Sequence, residues 1–162
     1  AAVHGGLTTR LAAENWPQWR GPRGTGVSRE STVPVFWSEE RAIAWKCPLP
    51  EWGNSTPAIW NDLVFVGDLG RRVYCFDAQT GEEYWSHAMK GDVWSSILAA
   101  DGKVYVGSYG RDLCVFEAGR DKNLLGATRF DSPISTTPTA ANGVLYVNTL
   151  TTLYAIGRED EQ

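Results

Sequence analysis

Three cysteines, two histidines and a scatter of carboxylates and serines are the side chains of this chain able to ligate a metal, carry a redox couple or attack a carbonyl. Cys47, Cys75 and Cys114 are too few and too widely spaced for a disulfide framework, and they contain no C-x-x-C pair and no C-x-x-C-H haem site. At least one thiol is free or pairs between chains. His4 stands in the N-terminal stretch, and His87 follows Cys47 by 40 residues; these fall short of the roughly four ligands of a closed zinc site. Asp68, Asp92, Glu117 and Asp131 belong to different loops, whereas calcium needs about six to eight oxygens brought together. Ser55, Ser95 and Ser96 have no His and acid at a recognisable triad spacing, and no glycine-rich phosphate loop opens a helix. The spacing thus organises no catalytic residue, cofactor site or metal site, and the expectation is a protein that is not an enzyme.

What the spacing does organise is strands. The chain has 162 residues, 43% hydrophobic, with a net charge of −4, which suits one globular domain. No basic run appears, so nucleic acid is not an expected partner. No stretch approaches the roughly 18 consecutive apolar residues of a membrane helix. Eight Trp and 17 Gly against a single Met set rigid aromatics among tight turns, the profile of repetitive β structure.

Three segments align: STPAIWNDLVFVGD (55–68), SSILAADGKVYVGS (95–108) and TTPTAANGVLYVNT (136–149). Val66, Val106 and Val147 recur at intervals of 40 and 41 residues, the period of a propeller blade. Each copy turns through Asn61-Asp62, Asp101-Gly102 or Asn142-Gly143, dipeptides that favour the positive φ of hairpin turns. Alternating strands follow: LVFVG, KVYVG and VLYVN, then RRVYCFDA (71–78), RDLCVFEA (111–118) and TTLYAIG (151–157). A fourth, outer strand carries Trp85 in EEYWSHAMKG, with an earlier copy around Trp45 in AIAWKCPLP and Leu125 at the matching count in the next. The expected fold is all-β, with about three propeller blades of four antiparallel strands.

The string VYCFDAQTGEEYW (73–85) resembles the pyrroloquinoline-quinone-like, or quinoprotein-type, β-propeller repeat, and WPQWRGPRGTGVS (16–28) resembles the arm ahead of such propellers in bacterial extracytoplasmic proteins. The resemblance runs from about Trp16 to Gly157. It implies a structural docking motif: Asp77 and Thr80 holding the turn, Gly81 taking a conformation closed to other residues, and Trp45 or Trp85 filling the space between blades. The second copy departs, with Glu117, Arg120, Asp121 and Leu125, and the third stops before its Thr-Gly-Trp segment. Quinoprotein alcohol dehydrogenases of this fold use adjacent cysteines and a calcium set; this chain has no adjacent cysteines. The resemblance therefore implies a non-catalytic scaffold or protein-interaction subunit, periplasmic or secreted with its signal peptide removed, and as alternative a partial quinone-dependent oxidoreductase. It also extends to the propeller lipoprotein of outer-membrane protein assembly, which binds partners through its blade loops.

The expected organisation is an N-terminal arm (1–41), a three-repeat segment (42–157) and a charged tail (158–162). Twelve strands follow from this count, an outer one at Trp45 preceding the first repeat and none closing the last. Propellers typically have about 4 to 8 blades, so three resolutions stay open: a piece of a longer propeller, two copies closing a ring, or head-to-tail addition. The expected partners are copies of the chain or another subunit, through open blade edges. Trp16, Trp19, Arg20, Ile43, Trp45, Tyr154 and Ile156 are the expected interaction residues, with 42–46 of one chain pairing with 151–156 of another. Cys75 and Cys114 come to facing sides if the blades stack, which leaves a bridge between them open.

Overall fold

Apolar residues at alternate positions, joined by turns that need a positive φ, fold into antiparallel meanders. The computed structural model of the chain describes residues 14–158. Blade one comprises β1 (Ala58–Trp60), β2 (Leu63–Gly67), β3 (Arg72–Asp77) and β4 (Glu83–Ala88), hydrogen-bonded in that order. Blade two repeats it with β5 (Leu98–Ala100), β6 (Lys103–Gly107), β7 (Asp112–Glu117) and β8 (Leu124–Arg129). Blade three has β9 (Thr139–Ala141), β10 (Val144–Asn148) and β11 (Leu153–Ile156), and no fourth strand among the described residues. No helix occurs among them, and the fold is the all-β arrangement of three blades. The first turn of each blade falls at the anticipated dipeptides, with Asn61 at φ 55°, Asp101 and Gly102 at 51° and 67°, and Asn142 and Gly143 at 53° and 74°.

Period-two alternation gives each sheet two apolar faces, and the blades stack through them. Phe65, Val73, Cys75 and Trp85 of blade one meet Val104, Val106, Cys114 and Phe116 of blade two in the main core. The other face of blade one, with Val64, Val66, Tyr74 and Phe76, is covered by Trp45, Cys47 and Leu49. Between blades two and three a smaller core holds Leu113, Phe130, Ile134 and Val147, flanked by half-buried Tyr105, Leu145 and Tyr154. Each interblade linker tucks one aliphatic side chain against a glycine that ends a strand. A Cβ on Gly67 would stand 2.4 Å from Val93, and one on Gly107 the same 2.4 Å from Ile134, so a larger residue there would force the linker off its blade.

Two expectations are corrected. The segment around Trp45 forms no strand, which leaves eleven strands among the described residues instead of twelve. A strand is held by a ladder, and no described blade precedes residues 42–46 to supply one. Leu125 is not the counterpart of Trp85. The β3–β4 turn closes with Asp77 N–H on the Glu82 carbonyl, whereas the β7–β8 turn closes with Glu117 N–H on the Asn123 carbonyl, one residue longer. Cys75 accordingly pairs with Trp85, but Val115 pairs with Gly126. Gly126 occupies the tryptophan position, and Leu125 lies 50% exposed.

Candidate interaction site

The docking motif is built from one tight turn. Asp77 Oδ1 accepts the N–H groups of Gln79 and Thr80, both at 2.8 Å, while Oδ2 accepts the Tyr84 hydroxyl at 2.7 Å. These donors, the Tyr84 hydroxyl foremost, hold the Asp77 carboxyl well below the usual carboxylate range. The same bond pushes the Tyr84 phenol up to about 12. Gly81 completes the turn at φ 73°, and a Cβ on it would sit 2.6 Å from the Trp45 ring. Trp45 Nε1 donates to the Ala78 carbonyl at 3.0 Å. One blade on, Trp85 Nε1 donates to the Gly119 carbonyl, also at 3.0 Å. Its ring lies between Phe65 and Phe116, at centroid distances of 5.9 and 5.1 Å. Each indole thus seals one blade face and satisfies its only donor on the following turn.

Arg120, which counting treated only as a departure from Thr80, has a different task. Its guanidinium pairs with Asp62 of blade one and lies 5.2 Å from the Tyr84 ring centroid. The turn of blade two is therefore tethered to blade one by charge, whereas in the first copy the Thr80 hydroxyl accepts Glu82 N–H within its own turn. Nothing in the spacing signals this pairing, because its partner stands 58 residues earlier.

The expected interaction residues do not converge on one surface. Trp16 pairs its backbone with Ile59, N–H to carbonyl at 3.0 and 2.9 Å, and the Pro17 carbonyl accepts Ala99 N–H at 2.7 Å, so the arm crosses the first strands of blades one and two. Trp19 is exposed, with the Arg20 guanidinium 5.7 Å from its ring centroid. Ile43 is exposed beside the docked Trp45. Tyr154 turns inward, edge-on to Phe130 at 4.8 Å. Ile156 and Leu153 are exposed on β11, whose described hydrogen-bonded neighbour is β10 alone. The arm adds Val35, Phe36 and Trp37, of which Phe36 is 88% exposed, an apolar run that sequence reasoning did not single out. Among the described residues the outer edge of β11 is unpaired, and the segment 35–37 is exposed and apolar.

The residues first considered for chemistry remain apart. Asp68 accepts Tyr74 OH, Asp92 meets Arg71, Glu117 accepts the Asn123 amide and Asp131 accepts Thr152. Among the described residues no three of His, Cys, Asp and Glu gather as a metal would require. Ser55 and Ser95 donate to the Thr56 and Gly107 carbonyls, while Ser96 accepts Thr56 N–H. His87 stands edge-on to Phe116 at 5.0 Å, and burial lowers its pKa. His4 lies outside the described residues. Cys75 and Cys114 share the main core as free thiols, and burial pushes both up to about 12. A cleft of about 420 Å³ beside the arm is lined by Trp19, Trp94, Gln18 and the hydroxyl residues Ser96, Ser135 and Thr136. It presents no cationic side chain for the carboxylates of a pyrroloquinoline quinone, and its residues do not fit that group.

Stacked four-stranded meanders, sealed by indoles on neighbouring turns, define a β-propeller repeat protein. The model of the family described as "Outer membrane protein assembly factor BamB" (PQQ_2) matches residues 29–124. That is more than half of the chain, and the chain belongs to this PQQ-like repeat family. Among solved structures, BamB from Moraxella catarrhalis is similar with a TM-score of 0.65 and 21% identity, over 73% of this chain and 38% of that one. The quinohemoprotein alcohol dehydrogenase ADHIIG from Pseudomonas putida HK5 is similar with a TM-score of 0.55 and 19% identity, over 65% of this chain and 18% of that one. Polyvinylalcohol dehydrogenase from Sphingopyxis sp. (strain 113P3) is 27% identical over 90 residues, 55% of this chain and 14% of that protein. The chain spans well under half the length of each.

Proposed function

We propose that this chain is an extracytoplasmic propeller scaffold that binds other proteins through its open blade edge and apolar arm, without catalysing a reaction. The observation that carries this reading is β11, whose outer ladder edge has no partner among the described residues and which carries exposed Leu153, 66%, and Ile156. An extended segment of a partner adds to such an edge by backbone hydrogen bonds, and alternate side chains set the specificity. The assembly-factor description of the family supports this role and an outer-membrane setting. No described helix is long and apolar enough to cross a membrane. The docking of Trp45, Asp77, Thr80, Gly81 and Trp85 serves the scaffold, keeping the blades stacked so that the edge stays presented. Sedimentation of the chain, alone and with Leu153→Lys and Ile156→Lys, tests the reading. Wild type should associate at micromolar concentration or capture a defined extended peptide, and the lysines should abolish it. A folded wild-type monomer that takes no strand would sink it.

A second reading, a part of a quinone-dependent oxidoreductase, is favoured by the likeness to polyvinylalcohol dehydrogenase. A stoichiometric quinone in the purified protein, or dye reduction with alcohols, would establish it over the first.

A further inference from the structure

We propose that the cleft between the arm and the entry loops of blades two and three is a binding site for a neutral saccharide. Three separate segments converge on it: Gln18 and Trp19 of the arm, Trp94 and Ser96 ahead of β5, and the hydroxyl run 135–137 ahead of β9. The repeat accounts for two of them. Trp94 and Ser135 stand one blade interval of 41 residues apart, as do Ser96 and Thr137, so equivalent entry loops of neighbouring blades come side by side. The arm is fastened next to them, because the Pro17 carbonyl accepts Ala99 N–H of β5 at 2.7 Å. Two indoles are thereby offered to one space. Trp19 is 60% exposed, and Trp94 is 45% exposed with its ring resting against Tyr109 at a centroid distance of 6.5 Å.

No side chain of the lining carries a charge, so an ionic ligand would give up its water there without gaining a counter-charge. What the lining supplies instead is interleaved donors and acceptors. Ser96 Oγ accepts Thr56 N–H at 3.2 Å and keeps its proton to donate. Thr136 Oγ1 donates to the Asn148 carbonyl at 3.1 Å and keeps its lone pairs. Gln18 Nε2 donates to the Gly21 carbonyl at 3.2 Å, which leaves its amide oxygen to accept. Such a set matches a ligand whose own hydroxyls each donate and accept. A sugar adds what an open-chain polyol lacks, a ring face of C–H groups that settles on the negative face of an indole. A flat aromatic ligand would cover the indoles but leave the hydroxyls unmatched. The volume of about 420 Å³ lies in the range of about 300 to 1,000 Å³ typical of small-molecule sites. In the sheet of blade three β9 lies at the opposite margin from β11, so a saccharide here leaves the partner-binding edge clear.

Cellobiose is the probe, and sorbitol is the comparison that has the hydroxyls without the ring. The indole N–H resonances of Trp19 and Trp94 in the full chain should shift saturably with cellobiose, and more weakly with sorbitol. Trp94→Ala, a change at an exposed side chain outside the blade cores, should weaken cellobiose binding about tenfold. Thr137→Val, which keeps the shape and removes the hydroxyl, should weaken it about two- to tenfold. Trp19→Ala removes the second indole and should also weaken binding, so the test survives if Trp94→Ala fails to fold. Absence of saturable shifts at both indoles at tens of millimolar cellobiose overturns the proposal. So does sorbitol binding as tightly as cellobiose, or undiminished cellobiose affinity in whichever tryptophan variant folds.

Discussion

Trp85 is 6% exposed, packed between two phenylalanines with its N–H satisfied, so Trp85→Ala should cost about 3 to 5 kcal/mol. Leu125→Ala, on an exposed side chain, should change stability by less than about 0.5 kcal/mol; urea unfolding of both variants checks the contrast. Nearby His87 is desolvated by burial and repelled by Lys122, which together outweigh the attraction of Asp112 and lower its folded pKa below 6.5. The unfolded chain then binds the proton more readily. Stability is therefore present above about pH 6.5 and falls as pH drops toward the folded pKa. His87→Gln should flatten this part of the stability profile, leaving the separate loss at much lower pH where Asp77 protonates. Cys75 and Cys114, buried and held in the thiol form, should resist iodoacetamide in the native state while Cys47 reacts. Mass spectrometry should find one adduct before unfolding and three after, in the absence of reductant. The turn at 77–81 could be read because a glycine after Thr80 suits the positive φ that Gly81 adopts. Arg120 could not, since an ion pair between turns of different blades leaves no mark on spacing.

The turns carry the elements, and two glycines separate conformational strain from crowding. Gly81 and Gly102 both have a positive φ, at 73° and 67°, but a Cβ meets the Trp45 ring at 2.6 Å in the first and nothing within 4 Å in the second. Gly102→Ala should cost about 1 kcal/mol or slightly more. Gly81→Ala should cost clearly more and release Trp45, read as a red shift and greater quenching of its fluorescence. Strands and hairpins could be read directly, because alternation of period two and Asn-Gly or Asp-Gly dipeptides are local signals. Two features escaped a count by forties. The strand at 42–46 depends on a ladder partner that local sequence does not contain. The extra residue before Asn123 shifts β8 by one place, and in a strand one place turns every side chain to the other face. Gly126 thus took the position that counting assigned to Leu125.

At the scale of the molecule the three blades hold together unequally. The gap between blades one and two is closed by tilted, closely packed aromatic rings, while the next gap has a smaller core and an open cleft. Opening should therefore begin there: hydrogen exchange of β9, β10 and β11 should be faster than that of β2, β3 and β6, and uniform protection across all three blades would contradict the account. The indole contacts also have a direction in time. Trp45 and Trp85 precede the carbonyls they bind by 33 and 34 residues, so on a ribosome each ring emerges first and waits for the turn that will receive it. A blade becomes lockable as soon as its β3-type strand and turn have followed, without any contribution from chain still to be made. Synthesis from the N-terminus then settles the blades one after another, each finished unit serving as the template against which the next is laid.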